Sequence, residues 1–146
     1  MNNEESVYRT SLLLVEHFNN CIQRSGKGIH TRIFSHILHP EQEFVAIGCS
    51  KEVIDGAKAY PEHVVPCATL INESFRLIED GMAKEDIAKL LAKHWKIVYI
   101  SKVQATYLDT KKGLNLKYKM PEGWTFETGD TFARMKLAKI EVLPLS

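Results

Sequence analysis

The chain has 146 residues, 45% of them hydrophobic and 25% charged, with 19 Lys and Arg against 18 Asp and Glu. These proportions exclude a disordered chain. The near-neutral balance also excludes binding to nucleic acid through overall charge, leaving only a local basic patch. The length suits one domain with a sizeable core that needs no disulfide or metal staple.

In chain order, residues 4–25 form the first predicted helix. Val7, Leu14, Phe18, Cys21 and Ile22 share one face, Glu4 and Glu5 sit at the positive end of the dipole, and Gly26 and Gly28 terminate it. Residues 29–39, "IHTRIFSHILH", fit both periods, since Ile29, Ile33 and Ile37 repeat every four while Ile33, Ser35 and Ile37 also alternate. The favoured reading is a helix that ends before Pro40. "PEQE" reads as a turn, "EFVAIGCS" as a short strand and "KEVIDGAKAYP" as a surface connection or short helical piece.

From Pro66, a residue suited to the first helical position, "CATLINESFRLIED" carries Leu70, Ile71, Ser74, Leu77 and Ile78 at helical spacing. Gly81 separates it from "KEDIAKLLAKHW", and the two make a helical hairpin. "KIVYIS" is a strand. Ser101 caps a helix through "KVQATYLDTKK", and Gly113 closes it. "LNLKYKMPEGWTF" is extended and turns at Pro121-Glu122-Gly123, "GDTFARMKLAK" is a last short helix, and "IEVLPL" is a terminal strand. The pattern is α+β, mostly helical, with a few short strands in a single domain 1–146, whose N-terminal helix 4–25 docks on a core 29–146.

Cys21, Cys49 and Cys67 are widely spaced with no C-x-x-C, which points to a reducing cytoplasm rather than a disulfide framework. The start "MNNEESVYRT" is acidic and polar, unlike a signal peptide, and "LLLV" is too short to span a bilayer, so no membrane partner is expected. There is no phosphate-binding glycine loop and no nucleophile elbow.

Among the six histidines, His36 and His39 are three apart and on a helix would share a face, but no third metal ligand stands near them. His63 has more telling neighbours. Glu62-His63-Val64-Val65-Pro66 resembles the acid-His-hydrophobic-x-Pro stretch that opens the metal site of HNH (ββα-metal) endonucleases. The resemblance implies a small metal-dependent endonuclease or a degenerate relative. In that reading Glu62 is a hard ligand for a divalent ion, Mg or Zn, and His63 is the general base that takes a proton from water. The second half of such a site would come from Asn72, nine residues past His63, or from His94, thirty-one residues on and returned toward Pro66 by the helical hairpin. The flanking cysteine knuckles of many family members are absent, and a helix begins at once after Pro66. Read without the resemblance, the same five residues are a strand that ends at a proline and hands over to a helix.

Tyr118, Trp124 and Phe126 flank a Pro-Gly turn among Lys111, Lys112, Lys117, Lys119, Arg134, Lys136 and Lys139. Lys117, Lys119, Trp124 and Arg134 are the candidates for contacting nucleic acid or a protein partner, through phosphate contacts and base stacking. The competing reading is a core aromatic cluster with solvated lysines. Cys67 follows Pro66 at a helix start and, with no base assigned to it, reads as a structural cysteine. Two functions follow. One is an HNH-like nuclease. The other is a non-catalytic accessory protein, of the size and style found in phages and mobile elements, that binds and inhibits a host defence protein. A helix-turn-helix regulator ranks third, because Glu85 and Asp86 stand where phosphate contacts belong.

Overall fold

A computed structural model describes residues 1–24 and 28–145. Helix α1 spans Asn3–Gln23, with the Asn2 side chain accepting the Glu5 N–H at 2.8 Å as its N-cap. Gly26, expected among its terminators, lies outside the described residues. Residues 29–39 are helical only over α2 (Ile33–Ile37), which has no side-chain cap. The "PEQE" turn and the start of the expected strand are instead α3 (Glu41–Val45), which begins directly after Pro40 with Glu41 and Glu43 in its first turn.

Strand β1 (Ala46–Ser50) leads into the short α4 (Lys51–Ile54), capped by Ser50. Strand β2 (Tyr60–His63) ends at the histidine of the motif. The helical hairpin is α5 (Cys67–Glu79) and α6 (Lys84–His94), followed by β3 (Ile97–Ile100). Helix α7 (Lys102–Asp109) opens with a complete capping box between Ser101 and Gln104, then stops short of Lys111. Residues 114–126 form no strand. They run irregularly to a turn closed by Trp124 N–H to Pro121 O. Helix α8 (Ala133–Leu137) and strand β4 (Val142–Pro144) complete the single α+β domain.

The sheet order is β2-β3-β1-β4, with β1 parallel to β3 and the other pairings antiparallel. Its two faces carry two cores. The larger packs α1, α5 and α6 around Phe18, Phe34, Leu91 and Trp95. The smaller packs Leu108, Met135 and Ile140 beneath Val98 and Ile100. The "VVP" step stitches them together: Val64 enters the smaller core and Val65 the larger, both fully buried, as alternation along an extended chain requires. A strand-to-helix junction is thus what these three residues build.

Gly48 lets β4 approach β1. A Cβ there would lie 2.6 Å from Val142 Cγ1 and 2.7 Å from the Leu143 carbonyl oxygen. Gly48→Ala is expected to push β4 from the sheet edge and cost about 1–3 kcal/mol, read from the urea midpoint. An unchanged midpoint would mean that β4 contributes little to the fold.

Candidate functional site

The end of β2 is held by two buried charged side chains from distant parts of the chain. The first is Arg134, on the short helix α8 and fully buried. Its guanidinium donates to Glu62 Oε1 at 2.9 Å, to the carbonyl oxygens of His63 at 2.6 Å and Leu116 at 2.9 Å, and to that of Val64 at 3.5 Å. Asp109 Oδ1 lies 3.6 Å from Arg134 Nη1 and has no hydrogen-bond partner among the described residues. Burial pushes the Glu62 carboxyl upward, and the Arg134 guanidinium opposes that rise.

The second is Glu41, buried at the first position of α3. Its Oε2 accepts the Trp95 indole N–H and the His63 Nε2–H, each at 2.7 Å. Cys67, first residue of α5, and Glu41 are the two groups whose influence favours the charged form of the ring. Burial disfavours the His63 cation, but the influence of Cys67 and of the hydrogen-bonded Glu41 carboxylate outweighs it and pushes the pKa up to about 10. The balance favours an imidazolium held on the Glu41 carboxylate.

The metal set implied by the resemblance is not brought together. Glu62 faces Arg134, a cation, where the resemblance wants a metal ion. Asn72 is exposed on α5, beside Phe75, Arg76, Glu79 and Asp80. His94 is fully buried, with Nδ1 2.9 Å from Thr131 Oγ1 and Nε2 2.9 Å from the Phe126 carbonyl oxygen. A carbonyl only accepts, so Nε2 carries the proton and Nδ1 takes the Thr131 hydroxyl. No lone pair is left for a metal, and burial pushes the pKa of His94 down, as a neutral ring requires. Among the described residues, no three His, Cys, Asp or Glu side chains cluster as a metal would need. His36 and His39 are both exposed and belong to no such cluster.

Of the four residues expected to touch nucleic acid or a partner, Arg134 is corrected from a surface group to the buried tie just described. Trp124 is half-buried, edge-on to His94 and Phe126, with its N–H on the Asp130 carbonyl oxygen at 2.8 Å, so the aromatic cluster is largely core. Lys117 and Lys119 are exposed, as are Lys111, Lys112 and Tyr118. Sequence reasoning does not pick out Glu41, Trp95 or Cys67 as the surroundings of His63. The one signal in the sequence is the four-residue spacing of His63 and Cys67 across Pro66.

Comparison with family models, with curated proteins and with solved structures finds no match. Among the described residues no helix is long and apolar enough to cross a membrane.

Proposed function

We propose that the chain is a degenerate HNH-like protein that binds nucleic acid without metal-dependent cleavage. The observation that carries binding is the segment 111–119. Lys111, Lys112, Lys117 and Lys119 are exposed there, and none makes an ion pair among the described residues. The Lys117 ammonium sits 5.3 Å above the ring of exposed Tyr118, an aromatic face on which a base can stack. The segment stands on a fixed base, since Arg134 holds the Leu116 carbonyl and the Thr69 hydroxyl holds that of Tyr118. Degeneracy is supported by the occupation of Glu62 by Arg134 and by the cationic state of His63. A general base must be neutral to take a proton.

The test is fluorescence anisotropy with labelled single- and double-stranded DNA and RNA across a salt series. Plasmid nicking is followed in parallel with Mg²⁺, Mn²⁺ and Zn²⁺. Wild type is expected to bind with about micromolar affinity at low salt. Alanine at the four lysines should weaken binding at least about tenfold and flatten the salt slope by about one for each phosphate no longer neutralised. No nicking is expected. Nicking that His63→Ala abolishes would restore the metal-nuclease reading. No binding at low salt would turn attention to a protein partner for the same surface.

A further inference from the structure

We propose that the cleft between α1, α3 and the C-terminal half of α6 binds a small amphipathic acid, an alkyl or aromatic body carrying an anionic group, through Lys89, Lys93 and Lys96. This goes beyond nucleic-acid binding, and the cleft shares no residue with the segment 111–119.

Shape, charge and free donors each carry it. The cleft encloses about 590 Å³, within the range of small-molecule sites. Val7 of α1, Phe44 of α3 and Ile47 of β1 give it apolar walls. Asn3 Nδ2 donates to the Glu43 carbonyl oxygen at 3.1 Å and ties the start of α1 to α3, so two of these walls are held together before any ligand arrives. Opposite them, Lys89, Ala92, Lys93 and Lys96 follow one another at helical spacing, so one side of α6 and the residue just past it present three cations to the cleft. None of the three makes an ion pair among the described residues. Glu4 is the sole carboxylate of the lining, so positive charge is in excess there. Cations at the end of a helix offset its dipole, which accounts for Lys93 and Lys96. Lys89 precedes the last turn, where that benefit has faded, and it repels Lys93 one turn on.

The donors point to what the charge is for. Lys96 is half-buried and held by a single bond, from Nζ to the Ala92 carbonyl oxygen at 2.9 Å. An ammonium has three donors, so two stay free on a fixed group. Burial pushes the Lys96 ammonium below its ordinary range, with Glu4 opposing, and an anion beside it would relieve that cost. The Tyr8 hydroxyl, on the same lining, has no hydrogen-bond partner among the described residues. A neutral apolar ligand would leave the three cations without use. A nucleic-acid backbone or an inorganic anion would use the cations and leave the apolar walls uncovered. A small acid answers both: its anionic group meets Lys96, with Lys89 and Lys93 adding attraction along the same side, and its body lies against Val7, Phe44 and Ile47.

The test uses the full chain and the fluorescent probe anilinonaphthalene sulfonate, an aromatic body with a single anionic group. Folded wild type is expected to bind it saturably, with a dissociation constant below about 100 μM. Octanoate should displace the probe at least about tenfold more effectively than octanol of the same chain length, and than inorganic phosphate. Lys89→Gln combined with Lys93→Gln, both at exposed positions, should weaken probe binding at least about tenfold while circular dichroism stays that of wild type. The same double variant should retain nucleic-acid binding, and alanine at Lys111, Lys112, Lys117 and Lys119 should leave probe binding as in wild type, which separates the two sites. Equal displacement by octanoate and octanol would overturn the proposal, because the cations would then take no part. Displacement by inorganic phosphate as readily as by octanoate would overturn it from the other side, since the apolar walls would be idle. So would unchanged probe affinity in the folded double variant, or no saturable binding to wild type.

Discussion

Arg134→Met is expected to destabilise the fold by about 3–5 kcal/mol, the loss typical of removing one partner from a buried ion pair. The side chain is only 1% exposed and ties β2, the end of α7 and residue 116 together through two carboxylates and three carbonyl oxygens. Without it Glu62 and Asp109 face each other with no cation between them, and three carbonyls lose a donor. For a chain of this size the thermal midpoint should fall by about 10 °C. Adding Glu62→Gln to Arg134→Met should recover part of the loss, because the worst of it is an unpaired buried carboxylate. A fall of less than about 1 kcal/mol, read from urea unfolding, would show that water replaces the guanidinium and that the tie is weak.

Stability should also decline as the pH rises from neutral to 10, through His63. Its folded pKa, about 10, lies above the ordinary histidine value of 6.5. A group raised on folding contributes in full below its unfolded pKa and loses that contribution as pH climbs through the folded value. The window is therefore roughly pH 6.5 to 10. Because the ring is partly exposed, the loss is set at about 2 kcal/mol, well below what the full shift would give. Lys96, lowered by burial, sheds its proton more readily in the folded state and opposes the decline near the top of the window. Wild type and His63→Gln should thus converge in stability toward pH 10. Parallel curves across that range would mean that His63 is not held as a cation.

The residues behind these two expectations differ in how far local pattern reveals them. In the sequence Arg134 is one basic residue in a basic stretch, and only the fold shows it buried. Position 134 falls where the short helix α8 turns one side inward to the end of β2, a long-range closure that local periodicity does not encode. Glu41 belongs by pattern to a turn. It proves to be a buried helix-start carboxylate, since Trp95 and His63 converge on it from elements 54 and 22 residues away in sequence. His94 keeps its expected place at the end of the hairpin, yet both its nitrogens are spent on Thr131 and Phe126. Cys67 stands in plain view four residues from His63. Its influence on the charge of that ring is hidden, because a proline between them conceals how the chain turns.

The α+β class, the hairpin of α5 and α6, the capped start of α7 and the burial of Val64 and Val65 are all legible in the amino-acid order. These follow from apolar period, caps and breakers within a dozen residues, where local energetics dominate. What Glu62 and His63 face is a matter of long-range packing alone. Their partners, Arg134 and Glu41, are brought in by packing of the sheet against helices from both ends of the chain. A buried charge takes whichever opposite charge or donor that packing delivers.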